Sequence, residues 1–469
     1  MTKSFTGACI YRLRAQGRLT LEDPVQKHLP KAKSRDPIVA ATVTVADLLG
    51  HRTGLQKADN LWLGSEGELM FNRDQTTAVF SNLRPQASIR SRFLYNNICY
   101  ATLGEMIIEL TGQPYHTYLE ENILEPLKMT RTIVTKDGGL PDNTSLAYST
   151  LENDEPYNVP LPGSSTSVAM GSAGGLLSTA NDLAKFYKAL MRSWRGQAEA
   201  EKDSLGTEDK EAVFEDVSWF FAPLQIMETP AFREKSDAAG WARSQLPTTV
   251  GDLGVNPGLV EEMPLLANSI SSRPALWHQG SLVGATSFVM MLPETESAVL
   301  VLTNTMAIND AADWIGQLLV ETLLDCPSPH DYVHLASVSA DRALKKYAEL
   351  SQKVEEGRMC GGPDRALSDY VGSYIDFGGL FRIKVVESDN GLEMLFQGQE
   401  SQKYRLQHHH HDTFTWVASW NEKIRRARFI IFQPAFYSIR FNGEEGRGLI
   451  ALNWVHDSAI PEGKDFVKE

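Results

Sequence analysis

Between Leu276 and Thr303 the chain carries three strand-length apolar runs, Leu276–His278, Thr286–Leu292 and Ala298–Thr303, joined by short turn-rich connections. A helical pattern from about Asn309 to Leu324 follows them. Connections this short join antiparallel neighbours, because a parallel pair needs a crossover of a dozen residues or more. The segment therefore predicts an antiparallel meander packed by a terminal helix, an α+β arrangement.

The chain ahead of the meander reads as mostly helical. Phe5, Cys9 and Leu13 recur at helical spacing through Leu19, which places Lys3 in the first turn of a helix. Val43–Leu49 reads as a capped helix with Thr44 at its N-cap and Asp47 three residues on. Tyr95-Asn96-Asn97 opens a helical stretch through Leu103, Ile107 and Leu110 to Thr111-Gly112, and helical character returns over Tyr115–Leu119 until Glu125-Pro126. Gly171–Leu183 is glycine-rich and then helical, with Ser178 or Thr179 as cap. It lacks both the G-K-[ST] and the preceding apolar strand of a phosphate loop. Residues 195–216 are charged and poor in large apolar side chains, as in an exposed insertion or loop.

Ser337–Arg358 is amphipathic, with Leu344, Tyr347, Leu350 and Val354 on one face, and Cys360-Gly361-Gly362-Pro363 makes a linker. From Leu367 onward, alternating runs at Phe381–Val385, Phe414–Val417 and Phe429–Phe432, separated by turns such as Asn442-Gly443, predict a small antiparallel β-barrel. The expected division is a first domain over 1–325, a helical linker over 326–366 and the β-domain over 367–469.

A formal charge of -14, from 45 basic and 59 acidic residues, argues against a nucleic-acid or anionic-membrane partner. Apolar runs are strand-sized, well short of the roughly 18 residues needed to cross a bilayer. Cys9, Cys99, Cys326 and Cys360 form no C-x-x-C pair and signal neither a disulfide framework nor a zinc site. His408–His411 lie inside a strand pattern, and His330 and His334 lack an accompanying carboxylate motif, so neither set is read as metal ligands. No cofactor and no metal are expected.

Four short segments carry the chemistry: Met1-Thr2-Lys3 followed by Phe5-Thr6-Gly7; Asp47-Leu48-Leu49-Gly50-His51-Arg52-Thr53-Gly54-Leu55; Leu94-Tyr95-Asn96-Asn97; and Trp277-His278-Gln279-Gly280-Ser281. In this order they resemble the serine β-lactamase, D-alanyl-D-alanine peptidase and esterase family, most closely its class C-like branch with S-x-x-K, Y-x-N and a K/H-x-G strand. The resemblance runs from Met1 to about Asn304. It implies an α+β, β-lactamase/transpeptidase-like fold in which an antiparallel sheet flanked by helices adjoins an all-helical region. The C-terminal barrel resembles the lipocalin-like appendage of some members, with Tyr370–Tyr374 as its opening strand.

On that resemblance Lys3, Tyr95 and His278 are catalytic, and Asn97, Gln279, Gly280 and Ser281 bind substrate. Lys3 would be the base and Tyr95 the second proton shuttle. His278 stands where many relatives have lysine, which disfavours carboxylate-bearing substrates. Gly280 would let the substrate lie close to the strand, and the Ser281 backbone N–H would donate to the oxyanion. Gln279 departs from the small residue common at that position, and His51 is read as structural. The nucleophilic serine would stand directly ahead of Met1, so the chain is expected to begin just after it and to be inert as it stands. Only about three sheet strands are then expected, leaving an apolar edge that an oligomeric partner would cover. The expected activity is acyl transfer on a small ester, thioester or amide through an acyl-enzyme. A non-catalytic binder of acyl ligands and a biosynthetic transesterase are the alternatives. As it stands the chain reads as cytoplasmic; an upstream targeting segment would change that address.

Overall fold

The computed structural model describes all residues except 135–138, 162–168, 203–212, 215, 229–232 and 445–447; of 198–202 only the helical backbone is described. The first helix, Thr2–Ala15, is buried nearly all round: Phe5 stacks on Phe186 at 3.8 Å between centroids, and Cys9, Ile10 and Leu13 join the main core. Helix Val45–Leu49 has the expected capping box between Thr44 and Asp47. Helix Asn97–Thr111 starts at Asn96, whose side chain accepts from the backbone N–H groups of Ile98 and Cys99, and stops at Gly112 in the left-handed region. Helix Ala180–Lys202 continues through the first part of the stretch expected to be an exposed insertion or loop. The rest of that expected loop lies largely outside the described residues.

Strands β1 (Ala147–Thr150) and β2 (Pro156–Val159) form a small sheet with β9 (Thr305–Met306). The main sheet has six strands in sequential order, all antiparallel: β3 (Gln225–Ile226), β4 (Lys235–Asp237), β5 (Ala242–Leu246), β6 (Arg273–Leu282), β7 (Ala285–Leu292) and β8 (Ser297–Thr303). This corrects the expectation of about three strands. The extra ones are short, and β4 reads as polar although Lys235, Ser236 and Asp237 are all buried, so no alternation betrays them. On one face Trp277, Phe288 and Met290 pack with Ala312 and Val320 of helix Ala311–Leu323, while Leu276, Val289 and Met291 face the main core.

β8 is an edge strand. Beside it, Ile315, Leu318, Leu319 and Leu323 project outward from helix Ala311–Leu323 and are each 39–48% exposed. Helix Tyr332–Glu355 begins ahead of the expected Ser337 and buries Ala343, Tyr347, Leu350 and Val354; Leu344 is only partly buried.

The C-terminal strands close an eight-stranded antiparallel barrel: β10 (Gly372–Asp376), β11 (Phe381–Ser388), β12 (Gly391–Phe396), β13 (Lys403–His410), β14 (Thr413–Thr415), β15 (Ser438–Glu444), β16 (Gly448–Trp454) and β17 (Lys464–Lys468). Tyr370 ends a short helix instead of opening β10. Phe429–Phe432 forms no strand; it lies between helix Trp420–Arg425 and the turn Pro434–Tyr437 that leads into β15. Asn442-Gly443 is a bulge within β15, not a turn. Among the described residues no helix is long and apolar enough to cross a membrane.

The barrel grips one segment of the first domain. Ser65 exchanges two hydrogen bonds with the Gln402 amide, at 2.8 and 3.0 Å, and its hydroxyl meets Tyr404 Oη at 2.5 Å. Asn60 Nδ2 donates to His456 O at 2.7 Å, and Gln397 Nε2 to Met70 O at 3.1 Å.

Candidate active site

Lys3 lies in the first turn of the first helix, only 4% exposed. Its Nζ donates to Asn97 Oδ1 at 2.6 Å and to Ala173 O at 2.9 Å, and sits 4.8 Å from the centroid of the Tyr95 ring. Burial drives the Lys3 amine down to about 7, against the opposing pull of Asp59 and Asp237. Near neutral pH it can therefore both take and give a proton.

The motif Phe5-Thr6-Gly7 explains how Lys3 is seated. Phe5 anchors the helix, and Thr6 Oγ1 donates to Ser172 O at 2.6 Å, next to the carbonyl that receives Lys3. A Cβ on Gly7 would lie 2.5 Å from Ala239 O, so only glycine admits the β4–β5 turn this closely. Gly240, in the same turn at φ +93°, passes so near the Lys3 backbone that a Cβ there would come within 2.8 Å of it.

Tyr95 directly precedes helix Asn97–Thr111. Its ring packs on His51 at 4.4 Å and faces His278 at 6.2 Å between centroids, and burial raises its phenol, reinforced by the charges of Asp59 and Asp237. His51 supports this turn: its Nδ1 accepts from Asn96 N–H at 3.0 Å. Burial, with the charges of Lys3 and Lys57, keeps His51 neutral well below its ordinary value. The rest of its motif is structural, with Arg52 bonded to Asp47 and Gly54 under the Ala87 carbonyl.

His278 is 4% exposed and held neutral, first by burial and then by the charge of Lys3. Its Nδ1 bonds the Gln279 carbonyl. A carbonyl can only accept, so Nδ1 carries the proton and Nε2 is left as an acceptor. Gly280 lies on the same face of β6, close to the Met1 backbone nitrogen. The side chains of Gln279 and Ser281 lie on the opposite face. Gln279 Nε2 donates to Asp313 Oδ1 at 2.9 Å, so its side chain belongs to the helix layer and faces away from Lys3.

Lys3, Tyr95, Asn97, His278 and Gly280 thus come together from two helix starts and one strand, while Gln279 contributes only backbone. Sequence reading missed Ala173, Asp59 and Asp237. The glycine-rich run containing Ala173 signalled a tight backbone but no chemistry. Asp59 Oδ1 accepts from Asn97 Nδ2 at 3.0 Å and from Trp62 Nε1 at 2.8 Å. Asp237, in β4, is 1% exposed, and burial raises its carboxyl. No motif surrounds either acid. Among the described residues no cluster of His, Cys, Asp or Glu could hold a metal.

Residues 1–321 match the beta-lactamase family. The chain belongs to that family. Residues 361–447 match a domain of unknown function, DUF3471. Among curated relatives of this beta-lactamase family chain, Protein flp of Staphylococcus aureus (strain MRSA252) is 29% identical over 150 residues, 31% of this chain and 29% of that protein. The D-alanyl-D-alanine-carboxypeptidase/endopeptidase AmpH of Escherichia coli (strain K12) is 24% identical over 208 residues, 44% of this chain and 51% of that one. The matches thus span about half the length of these relatives or less. The octameric penicillin-binding protein homologue from Pyrococcus abyssi superimposes with a TM-score of 0.54 at 19% identity, covering 97% of this chain and 83% of the other, a likeness of fold.

Proposed function

We propose that this is the site of a serine hydrolase or acyltransferase that acts on a small ester, thioester or amide, with the attacking hydroxyl on a serine directly ahead of Met1. The observation that carries the reading is Lys3: a buried amine brought to about 7, held by Asn97 and Ala173 against Tyr95. A serine one turn earlier would share its face of the helix. The neutral amine takes the hydroxyl proton as oxygen attacks the acyl carbon. Tyr95 passes its phenol proton to the leaving oxygen, sulfur or nitrogen as its bond to carbon breaks and takes one back from the Lys3 ammonium, and water or an alcohol then releases the acyl group. Backbone N–H groups of that serine and of Ser281 would hold the oxyanion. His278 supplies an acceptor and no fixed positive charge, which favours substrates without a carboxylate.

The two hydroxyls beside Lys3 are committed elsewhere: Thr2 Oγ1 accepts from Leu176 N–H at 3.2 Å and Ser4 Oγ donates to Met1 O at 2.8 Å. A protein made from Met1 is therefore expected to bind acyl ligands without turnover. The test is to prepare the chain with and without a serine directly ahead of Met1 and treat both with a fluorophosphonate. The expected result is an adduct on that serine, abolished by Lys3→Met, with ester hydrolysis to match. A folded serine-bearing chain that stays unlabelled and inert, yet binds acyl ligands saturably, would establish the non-catalytic binder instead. Product analysis with a competing alcohol separates transfer from hydrolysis.

A further inference from the structure

We propose that Asp59 is a positioning residue of this site: it holds the Asn97 amide so that the amide oxygen faces Lys3. The inference rests on the acyl-transfer reading of the cluster, but its geometry stands on its own. Asn97 spans two charged groups, receiving Lys3 Nζ on Oδ1 at 2.6 Å and donating Nδ2 to Asp59 Oδ1 at 3.0 Å. A primary amide has one accepting end and one donating end; Lys3 Nζ donates to the Asn97 oxygen, and Asp59 Oδ1, although burial raises its carboxyl, is the acceptor of two N–H donors, Asn97 Nδ2 and Trp62 Nε1. Flipping Asn97 would set its oxygen against Asp59 Oδ1 and its NH₂ against the Lys3 amine, so the two partners fix the amide orientation between them.

Asp59 is itself locked. Trp62 Nε1 donates to the same oxygen at 2.8 Å, inside the short helix Asp59–Trp62. From the far side, Asn60 is bonded to His456 of the barrel, and Ser65 to Gln402 and Tyr404. The segment that carries the acid is thus clamped between the site and the C-terminal domain, and the Asn97 amide joins it directly to Lys3. Lys3 also has Met1, His51, Tyr95, Tyr100, Asp237 and His278 around it. Of the two acids, only Asp59 is tied to a group that Lys3 itself bonds.

The test follows the titration of Lys3 by ¹³C NMR of its ε-carbon, assigned with Lys3→Arg. Asp59→Asn keeps an acceptor for the Asn97 amide but removes the charge. The Lys3 midpoint should fall by about half a unit to one unit. A folded Asp59→Asn protein whose Lys3 midpoint stays within about 0.2 unit of the parent overturns the proposal. Should that variant fail to fold, Lys3→Met probes the same link from the other end. It should raise the titration midpoint of the Asp59 carboxyl, and an unmoved Asp59 overturns the proposal equally. No substrate is involved, so labelling of the added serine with an unmoved Lys3 defeats only the positioning role. A shifted Lys3 without labelling defeats only the acyl-transfer reading.

Discussion

Replacing Asp47 by alanine should cost this protein about 3 kcal/mol of stability. The Asp47 side chain is 0% exposed, and its oxygens accept from Thr44 N–H at 2.9 Å, Thr44 Oγ1 at 3.0 Å, Arg52 Nε at 2.7 Å and both Arg90 Nε and Nη2 at 2.8 Å. Hydrogen bonds to a buried charge contribute about 1.5–3 kcal/mol each when measured singly, and breaking a buried pair costs about 3–5. Here the sum is limited because Arg90 is 48% exposed and Arg52 21%, so both recover water once the acid is gone.

Burial works to raise the Asp47 carboxyl, but hydrogen bonds from Arg90 and the Thr44 backbone, with the charge of Arg52, outweigh it and keep the group below its ordinary value. A carboxyl depressed on folding stabilises above its unfolded value, near 3.9, and that contribution fades as pH falls through the lower folded value. Urea unfolding at pH 7 and at pH 3 measures both effects. The parent should lose part of its margin over the variant at the lower pH. A double-mutant cycle should assign the larger coupling to Arg52, the less exposed arginine. The reasoning fails if Asp47→Ala loses less than about 1 kcal/mol at pH 7, or if its cost is additive with Arg52→Ala.

Gly240→Ala should destabilise by about 2 kcal/mol or more, because a side chain at φ +93° is strained and its Cβ would meet the Lys3 backbone at 2.8 Å; urea midpoints check this. Lys423 is buried against the Trp416 and Tyr437 rings, its Nζ has no hydrogen-bond partner, and burial drives it far below its ordinary value. Since the unfolded chain binds the extra proton, stability should rise with pH up to about 10.4; Lys423→Met should flatten that slope without lowering stability at pH 7. Leu319→Glu on the exposed stripe beside β8 should change stability by less than about 0.5 kcal/mol yet reduce self-association, measured by light scattering; unchanged association removes that stripe as a contact surface.

The meander β6–β8 was legible because its central strands are buried on both faces and read as continuous apolar runs, and the barrel because strands such as β11 bury alternate residues, a period of two that survives in sequence. The helix start at Thr44 was readable from capping chemistry, which is local. Strand β4 was not, since Lys235 is buried through ion pairs with Glu228 and Asp252 from elsewhere in the chain, and tertiary pairing leaves no periodic trace. The site divides similarly. Lys3, Tyr95 and His278 were visible through their motif neighbours. Asp59 and Asp237 come near Lys3 only through burial, and Asp59 through the Asn97 amide, which folding alone creates. Strand alternation places the Gln279 side chain apart from the site: with His278 toward Lys3, the next residue of β6 faces the helix layer.

The grip of Gln402, Tyr404 and His456 on residues 60–65 has a practical corollary for anyone dissecting this molecule. A protease nick in the exposed stretch around Gly361 should leave two fragments that still travel together on a sizing column, because the seam is held by buried polar bonds and shared apolar packing rather than by the tether. Expressed alone, the first piece would expose that seam, and the stretch leading from it to Asn97 would lose its outer wall.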